Sequence, residues 1–407
     1  MPFIIQKYGG SSIGTIEKIK KVANKIIESK KNGNDLVVVV SAMQGETNRL
    51  TELAKSIDVD ASGRELDSLL STGEQVTIAL LSLAISELGY KAISLTGAQA
   101  GIITSDIFNK ARIKYINSEK IKKLLSNDNI VVIAGFQGIT EQGEITTLGR
   151  GGSDTSAVAL SVALNADECQ IYSDVDGVYT TDPKIAQGAK KIDKITNEEM
   201  LELASQGSKV LQPRAAEFAG KYDITVRLLS TFEDGTGTTI QKEYKNDKEL
   251  ENVLISGIAF NQNEAQLTIR GVPDQPGIAS KILGPIAEEN IDVDMIVQNV
   301  GADGLANFTF TVNRNDYKNA LSILKESASN LNASKVEGNN SIVKISLVGV
   351  GMRTHVGVAN KMFKILSDEK INISMISTSE IKISVVTEEE NLKKAVEALH
   401  KGFGLEV

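Results

Sequence analysis

Chemically reactive side chains are scarce in this sequence of 407 residues. It contains one cysteine, Cys169, two histidines, His355 and His400, and no tryptophan. A lone cysteine excludes a disulfide within the chain, which fits a reducing compartment. Without a histidine partner, Cys169 is interpreted as a small buried apolar residue. Because both histidines lie near the end of the sequence, chemistry in the earlier part must proceed without imidazole.

An excess of positive charge and long apolar runs are also missing. The net charge of -8 argues against nucleic acid as a main partner and provides no basic face for an anionic membrane. The longest apolar runs, 36–40 and 130–136, have the length of strands, whereas a membrane span needs roughly 18 apolar residues. The first residues lack the pattern of a signal peptide. We therefore expect a cytoplasmic protein with no nucleic acid and no membrane partner, although a local basic pocket still permits small anionic substrates.

Strand and helix patterns alternate from residue 3 to about residue 240. Residues 15–31 carry apolar side chains at helical spacing, and the two apolar runs are typical of buried strands. Such strands separated by helices predict an α/β domain with a mainly parallel sheet covered on both faces. Further helices are predicted at 65–89, 117–127, 153–166, 196–206 and 209–221, a polar hairpin at 138–149, and a polar linker at 233–252.

The last part of the chain contains an internal repeat. Residues 277–296 align without gaps against residues 357–376, with glycine, alanine, lysine, glutamate, isoleucine and methionine at equivalent positions. Each copy reads strand, glycine turn, helix, strand, strand, helix, which is a ferredoxin-like α+β unit. The spacing supports two interpretations equally: a sensor attached to a catalytic domain, or a duplicated structural or dimerising module.

The first motif with chemical potential is "KYGGSS", residues 7–12, at the end of the first predicted strand. Gly9 and Gly10 allow a backbone to approach a ligand closely, and the following helix start and Lys7 supply positive charge. Together they predict an anion cradle. The pattern is neither the dinucleotide fingerprint nor the P-loop, and on this stretch alone a simple tight turn is the better interpretation.

The second motif is "TTLGRGGSDTSA", residues 146–157, which places Arg150 between glycines. Arginine binds a carboxylate or phosphate through two parallel hydrogen bonds, and such charge-assisted bonds contribute roughly 1.5–3 kcal/mol. The motif therefore favours an anion clamp. The alternatives are an exposed loop arginine at Arg150, and Ser153 or Asp154 acting only as the N-cap of the next helix.

Three more features allow two interpretations each. The stretch 172–183 is either a nucleotide-edge loop with carboxylates for a hydrated Mg²⁺ or a chain of turns that ends in Asp-Pro. Lys209 lies near a predicted helix start, where it opposes the helix dipole and suggests a nearby anion. Glu74 follows Ser71 by three residues, which is a capping-box pattern, and the spacing alone favours that structural role.

The motifs "KYGGSS", "TTLGRGGSDTSAVALS", "YSDVDGVYTTDP" and "SKVLQPRA" resemble those of the aspartokinase family, in the amino-acid kinase superfamily. The repeated part, with "GVPDQPGIASKIL" and "INISMISTSEIKISV", is similar to the tandem ACT domains of the same family. The resemblance implies the monofunctional form, with a three-layer α/β/α sandwich and a mainly parallel sheet, followed by two ferredoxin-like ACT units. The implied boundaries are 1–240 for the kinase domain, 241–265 for a linker and first regulatory strand, 266–336 for the first ACT domain, and 337–407 for the second.

The reaction implied by the resemblance is ATP-dependent phosphorylation of the side-chain carboxylate of L-aspartate, with Mg²⁺. It is the first step towards lysine, threonine, methionine and diaminopimelate. A carboxylate is already an ionised nucleophile at pH 7, so no general base is needed and the scarcity of histidine is explained. The implied catalytic residues are Lys7, Asp154 and Lys209, with the two lysines beside the transferred phosphoryl group and Asp154 orienting them. No protein side chain is expected to bind the metal directly.

Binding residues are carried over from the same resemblance. The implied ATP-binding residues are Lys7, Tyr8, Gly9, Gly10, Ser11, Ser153, Ser173, Asp174, Tyr179, Thr180, Thr181, Asp182, Pro183, Lys184 and Lys209. The implied substrate-binding residues are Ser41, Thr47, Glu74, Arg150, Gly151, Gly152 and Ser153. In this set Arg150 holds the α-carboxylate of aspartate and Glu74 receives its α-amino group, a role that replaces the capping role favoured by spacing.

The ACT resemblance implies feedback by lysine, threonine or both, and a homo-oligomer formed through the ACT domains. The implied effector-binding residues are Asp274, Gly277, Ile278, Ala279, Asp292, Asp294 and Gln298. The second unit has Thr354 in place of Asp274 and Val356 in place of Pro276, which argues against a second equivalent effector site. Two other functions are compatible with the sequence: a non-catalytic amino-acid sensor, or a kinase of another small acid.

Overall fold

The structure, a computed structural model, describes residues 2–208, 210–242, 254–302, 304–353 and 355–406. These residues divide into two compact units. The first unit takes the described residues of Met1–Val178, Lys191–Ser205 and Lys209–Lys248. The second takes those of Tyr179–Lys190, Gln206–Ser208 and Glu249–Val407. Two short stretches therefore belong to the second unit although the sequence on either side of them belongs to the first.

Strands and helices alternate in the first unit, as the sequence pattern predicts. The strands are β1 (Phe3–Tyr8), β2 (Asp35–Val40), β3 (Ala92–Leu95), β4 (Ile102–Thr104), β5 (Ile113–Ile116), β6 (Ile130–Ala134), β7 (Gln137–Ile139), β8 (Ile145–Thr147), β9 (Glu168–Ser173), β10 (Val178–Tyr179), β11 (Lys191–Ile192), β12 (Lys194–Thr196), β13 (Val226–Ser230) and β14 (Thr238–Gln241). The helices are α1 (Ile16–Lys31), α2 (Glu46–Lys55), α3 (Arg64–Glu87), α4 (Glu119–Leu125), α5 (Gly152–Leu164), α6 (Asn197–Ser205) and α7 (Pro213–Tyr222).

The main sheet has eight strands in the order β12-β14-β13-β9-β1-β2-β6-β3. Its central neighbours run parallel, and β13 and β14 are antiparallel. Tyr8 packs with the apolar sides of α1 and α3, whereas its neighbour Lys7 contacts α5. Because consecutive strand residues point to opposite faces, the helices lie on both sides of the sheet. The predicted three-layer sandwich with a mainly parallel sheet is confirmed.

A second, four-stranded sheet in the first unit has the order β5-β4-β7-β8. Strands β7 and β8 pair antiparallel with Gln137 opposite Thr147, so the polar hairpin predicted from the sequence is present. The turn residues between them form a hydrogen bond from Gly143 N to Thr140 O at 3.0 Å. The hairpin leads directly into the glycine-rich loop before α5.

Two predictions of where elements lie in the first unit are wrong. Part of the predicted linker, Thr238–Gln241, is strand β14 of the main sheet, because Thr238 and Ile240 are completely buried. The helix predicted from residue 209 begins instead at Pro213, where a residue without an N–H group is well suited to the first helical position. Lys209 lies outside the described residues, and the helix begins four positions after it, at Pro213.

One helix of the described residues, α3, is long and apolar enough to cross a membrane. Half of its most apolar window is buried inside the protein. Its residues Ile78, Leu81 and Ile85 pack in the core between α1 and the main sheet. Packing in that core accounts for the buried apolar side chains of this helix, whereas Val76 and Leu83 are exposed.

In its described residues, the second unit contains an antiparallel sheet of six strands with four α-helices. Its strands are β15 (Gly257–Pro273), β16 (Val293–Val300), β17 (Leu305–Asn313), β18 (Lys335–Val348), β19 (Met375–Thr378) and β20 (Lys382–Glu388). Its helices are α8 (Ile278–Glu288), α9 (Tyr317–Asn330), α10 (Val358–Asp368) and α11 (Leu392–Gly402). The order in the sheet is β16-β17-β15-β18-β20-β19.

Two ferredoxin-like modules share the long strands β15 and β18. Residues 264–270 of β15 pair with β17, and residues 266–270 pair with residues 335–339 of β18, over a core that includes α8 and α9. Residues 257–261 pair with residues 344–348, over a core that includes α10 and α11. The repeat is confirmed in detail, since α8 and α10 both follow a left-handed glycine, at φ +89° and +91°. The early part of β15 completes the second module, which the linear pattern did not predict.

Candidate active site

Lys7 and Asp154 form an ion pair at the carboxyl end of the central strands. Lys7 lies in β1 between Val39 of β2 and Ile171 of β9, and Asp154 lies in the first turn of α5. The Lys7 Nζ atom is 2.6 Å from Asp154 Oδ1, and both side chains are about one-tenth exposed. The parallel sheet thus places a charged lysine, held by a carboxylate, at the edge where α/β proteins commonly bind ligands.

The glycines after β1 bring the backbone close to this pair. Gly9 N donates a hydrogen bond to Tyr172 O at 3.2 Å, and a Cβ atom on Gly9 would lie 3.4 Å from Lys7 Nζ. A Cβ atom on Gly10 would lie only 2.9 Å from Ala42 O, so this position requires glycine. The segment Gly10–Ser12 is a 3₁₀ turn, and α1 follows after the N-cap Thr15. The stretch is therefore a tight turn that also borders the lysine.

The glycine-rich loop around Arg150 ends in the N-cap of α5. That N-cap is Gly151, with φ +71°, so the prediction that Ser153 or Asp154 serves as N-cap is wrong. Both residues lie in the first helical turn and are buried. Gly151 has no room for a side chain, because a Cβ atom at this position would lie 1.9 Å from Gln212 Cγ. Arg150 is exposed beside the helix N-terminus, where backbone N–H groups and the dipole favour a bound anion.

Glu74 is buried in the middle of α3 and has an unsatisfied oxygen. Its Oε1 accepts a hydrogen bond from Ala42 N at 2.9 Å, whereas its buried Oε2 has no hydrogen-bond partner among the described residues. Burial raises the pKa of the Glu74 carboxyl to about 8. The capping-box pattern is wrong, because α3 begins at Arg64 and Ser71 Oγ donates to Ser68 O inside the helix.

Three more predicted residues of the first unit lie just after a strand or in the first turn of a helix. Ser41 N donates to Tyr8 O at 3.2 Å, which joins the end of β2 to that of β1. Thr47 is half-buried in the first turn of α2. Ser153 lies against Gly135, which follows β6: a Cβ atom added to Gly135 would be 2.8 Å from the Cβ atom of Ser153. The structure thus brings the ends of β1, β2 and β6 together with the start of α5.

Ala42 and Gly135 are the site residues that sequence reasoning missed. Ala42 orients Glu74 through its backbone N–H group, and Gly135 leaves room for Ser153. Gly135 carries a signal in the sequence, since it follows the buried run "IVVIA" just as Gly9 follows the first strand. Ala42 carries none, because a backbone donor is independent of the side chain.

The predicted nucleotide stretch is divided between the two units. Ser173 ends β9 and its Oγ accepts a hydrogen bond from Val175 N at 3.1 Å, with exposed Asp174 between them. The residues from Tyr179 to Lys184 belong to the second unit. There Asp182 Oδ1 accepts from Lys184 N at 2.9 Å, so the Asp-Pro turn interpretation is correct for the local backbone. Whether these residues bind a nucleotide stays a prediction.

The predicted effector residues lie in the first ferredoxin-like module. Asp274 is exposed just before Gly277, and its N–H group donates to Gly304 O at 3.2 Å. Asp294 is paired with the buried Lys344, which also contacts Glu264 at 3.1 Å. This charged triad was not predicted from the sequence. The other predicted effector residues are Ile278 and Ala279 at the start of α8, and Asp292 and Gln298, which are both exposed.

Comparisons with known proteins agree with this architecture. Residues 2–230 match the amino acid kinase family, and residues 266–328 and 345–403 match ACT domains. The aspartokinase of Pseudomonas aeruginosa is 58% identical over 406 residues, which cover 100% of this chain and 98% of the relative. The chain belongs to the aspartokinase family.

Solved structures of aspartokinases have the same fold. E. coli aspartokinase III in complex with aspartate and ADP is 25% identical, with a TM-score of 0.83 over 98% of this chain and 99% of that one. The same enzyme in complex with lysine and aspartate superposes with a TM-score of 0.79, at 25% identity over 98% and 99% of the two chains. The chain is therefore an aspartokinase-family enzyme with an amino acid kinase domain and two regulatory ACT domains.

Proposed function

We propose that this protein transfers the γ-phosphoryl group of MgATP to the side-chain carboxylate of L-aspartate and produces 4-phospho-L-aspartate and ADP. The observation that carries the proposal is the Lys7–Asp154 ion pair beside the Gly9–Gly10 turn, together with the buried Glu74. An oxygen of the aspartate side chain forms the new bond to the γ-phosphorus, and the bond between that phosphorus and the β–γ bridging oxygen breaks. ADP leaves with the bridging oxygen, and no proton needs to be removed from the nucleophile.

Positive charge is the main requirement of this reaction, because a carboxylate must approach a triphosphate. Lys7 supplies one charge at the end of β1, and Asp154 holds its ammonium group in one position. Lys209 is proposed to supply a second charge. In such phosphoryl transfers, catalysis consists almost entirely of positioning and electrostatic stabilisation. The backbone N–H groups of Gly10 and Ser11 are proposed to add further hydrogen-bond donors for phosphate oxygens, whereas that of Gly9 donates to Tyr172 O.

The charged ends of aspartate have matching partners in the first unit. A carboxyl as buried as Glu74, with one oxygen unsatisfied, ionises readily only beside a cation, and the α-ammonium of aspartate is proposed to provide one. Arg150, at the exposed start of α5, is proposed to bind the α-carboxylate. Ser41, Thr47, Gly151, Gly152 and Ser153 are proposed to complete the substrate pocket.

Mg²⁺ is proposed to enter with the nucleotide, bound to its phosphate oxygens. Within the described ranges, no group of three or more histidine, cysteine, aspartate or glutamate residues is arranged to hold a metal ion. Asp174, exposed after β9, and Asp182 are acidic members of the predicted nucleotide set, and Asp154 pairs with Lys7 of that set. Bound Mg²⁺ would neutralise developing phosphate charge.

Regulation is proposed to act through the first ACT module, with lysine, threonine or both as effectors. The carboxylate of Asp274 is proposed to receive the effector's ammonium group, next to the N-terminus of α8 for its carboxylate. The ACT domains are also proposed to form a homo-oligomer. A cytoplasmic location and a place at the start of the pathway to lysine, threonine, methionine and diaminopimelate complete the proposal.

The test is ADP release from the purified protein with MgATP and L-aspartate, repeated with lysine, threonine and both. Glutamate and N-acetylglutamate serve as competing acid substrates. Aspartate-dependent release that an effector reduces would support both parts of the proposal. Release that depends on another acid, or ATP binding without turnover, would overturn the aspartate kinase assignment in favour of a different kinase or a sensor.

A further inference from the structure

Two stretches of the kinase sequence are built into the second unit. They are Tyr179–Lys190 and Gln206–Ser208, and each is flanked by residues of the first unit. The first includes six of the residues predicted to border the nucleotide, and the second directly precedes Lys209 in the sequence. How firmly the second unit holds them therefore bears on nucleotide binding.

Thr180 is the most strongly held residue of the first stretch. Its Oγ1 is 2.8 Å from His400 Nε2 on α11 and accepts a hydrogen bond from Lys190 N at 2.9 Å. Its backbone is fixed as well, since Thr180 N donates to Lys190 O and Thr180 O accepts from Ile258 N of β15 at 2.7 Å. Every polar group of this residue is therefore engaged within the second unit.

His400 is suited to holding Thr180 because it is almost completely buried, at 1% exposure. Its Nδ1 has no hydrogen-bond partner among the described residues, so the contact with Thr180 is the hydrogen bond that the structure gives its ring. Burial lowers the pKa of His400, although Glu406 raises it in part, and the ring is neutral at pH 7. A neutral imidazole in either tautomer forms this bond with a hydroxyl group.

Apolar packing secures the same stretch. Ala186 is buried in the core of the second ferredoxin-like module, which also contains Leu392, Val396 and Leu399 of α11. His400 is thus adjacent in sequence to a core position of the helix that anchors the stretch. His400 is the α11 side chain that forms a hydrogen bond with Thr180.

The second stretch is held in a similar way. Gln206 is buried, and its Oε1 accepts a hydrogen bond from Ser346 Oγ of β18 at 3.1 Å. Gly207 has φ +118°, and a Cβ atom there would lie 2.2 Å from Phe260 O of β15. The six-stranded sheet of the second unit therefore holds the residues that precede Lys209 in the sequence, as well as the residues around Thr180.

We propose that His400 is a positioning residue for the nucleotide: it holds Thr180 and thereby the stretch Tyr179–Lys184 in the conformation that binds ATP. The inference rests on the proposed function, because the assignment of this stretch to the nucleotide comes from there. Aspartate binding depends on Arg150 and Glu74 of the first unit, so the loss of His400 has a selective effect on ATP.

The experiment compares His400→Leu, which removes the hydrogen bond, with His400→Gln, whose amide keeps a polar atom near the position of Nε2. We expect His400→Leu to raise the KM for MgATP about 3- to 10-fold, the effect of losing one buried hydrogen bond. The KM for aspartate should change less than about twofold. His400→Gln should recover most of the affinity for ATP. His355→Leu, which replaces the other histidine at an exposed position of the same unit, is the matched control.

Thr180→Val provides the second arm: it removes the same bond from the other side, together with the hydrogen bond that Thr180 Oγ1 accepts from Lys190 N. The double variant Thr180→Val with His400→Leu should be no worse than the more affected single variant, because both lose one shared contact. Equal rises in both KM values, or an unchanged KM for ATP in correctly folded His400→Leu and Thr180→Val, would overturn the proposal. If His400→Leu does not fold, Thr180→Val and His400→Gln decide the question.

Calorimetric binding of ADP to wild type and variants separates this proposal from the proposed function. Wild type that turns over aspartate while His400→Leu binds ADP normally would overturn the positioning role alone. Wild type that binds ADP without turning over aspartate would overturn the kinase assignment, and the ADP affinity of the variants would still test His400.

Discussion

Lys7 Nζ lies 2.6 Å from Asp154 Oδ1, and the two residues belong to a central strand and to the helix that packs on it. A lysine at the end of β1 meets a carboxylate in the first turn of α5 because the strand and the helix N-terminus end at the same edge of the sheet. Asp154 fixes the direction of the Lys7 ammonium group. Gly9 and Gly10 have no side chains, so the backbone of the adjacent turn lies close to this group.

Lys7→Ala should lower kcat by about 10²–10³-fold, the usual effect of losing one donor that stabilises transition-state charge. The measurement is steady-state ADP release at saturating MgATP and aspartate. Lys20→Ala, an exposed lysine on α1, is the control for the loss of a positive charge. Turnover of Lys7→Ala close to that of the control would contradict the role of Lys7 in phosphoryl transfer.

Arg150→Ala should raise the KM for aspartate at least tenfold and change the KM for ATP much less, because a bidentate contact to the α-carboxylate is lost. The two KM values are measured on the same preparation, so each serves as the control for the other. Arg150→Lys should recover little, since an ammonium group cannot reproduce two parallel hydrogen bonds. An equal rise of both KM values would contradict the proposed binding of the α-carboxylate by Arg150.

The raised pKa of the Glu74 carboxyl predicts that aspartate binding depends on pH. Burial raises the pKa of its carboxyl to about 8 from an ordinary value of 4.5, so at pH 7 the free protein holds a proton there. The α-ammonium of aspartate binds the ionised form, and binding should therefore release a proton. We expect kcat/KM for aspartate to rise by up to about tenfold per pH unit below this pKa and to level off above it. Calorimetry in buffers of different ionisation enthalpy measures the released proton.

Glu74→Gln is the control for this pH dependence, because the amide oxygen can still accept from Ala42 N. The variant should bind aspartate weakly and show no proton release. The same pKa shift has a consequence for folding: the unfolded chain loses this proton at a lower pH than the native state, so the contribution of Glu74 to stability falls as the pH rises from about 4.5 to 8. A kcat/KM profile that is flat between pH 6 and 8 would rule out Glu74 as the ammonium partner.

Asp274→Ala should raise the effector concentration for half-inhibition at least tenfold, because the ammonium group of an amino acid loses its charged partner. Activity with and without lysine, threonine or both is compared for each variant. Asp368→Ala, at the exposed end of α10 in the other module, controls for the loss of a negative charge. Unchanged inhibition in Asp274→Ala would place the effector elsewhere.

Much of the kinase fold could be predicted because its strands and helices are strong local patterns. The runs at 36–40 and 130–134 are apolar throughout, since the central strands of a covered parallel sheet are buried on both faces. Strand β14 was missed because its four residues, TTIQ, follow a polar stretch, and two of them are buried where the strand pairs with β12 and β13. A short strand at that position depends on partners that are distant in sequence.

The sequence patterns that led to wrong predictions were those that occur in two structural contexts, at a helix start and inside a helix. Ser71 and Glu74 have capping-box spacing, but the same spacing inside a helix places both residues on its buried side. Ser153 and Asp154 are good N-cap residues, yet Gly151 takes that position because its left-handed backbone lies against Gln212. Sequence spacing alone does not distinguish these cases, because the deciding contacts come from other elements.

The sequence by itself determined the order of strands and helices, the repeated ferredoxin-like module and the candidate charges Lys7 and Arg150, because each follows from local periodicity or from a motif. The tertiary structure decided which of them meet. It paired Lys7 with Asp154, buried Glu74 with one oxygen unsatisfied, and placed Thr180 against His400, 220 residues away in the sequence. Such contacts depend on strand register and on the packing of distant elements. The free-energy cost of removing these polar groups from water arises only when the chain folds.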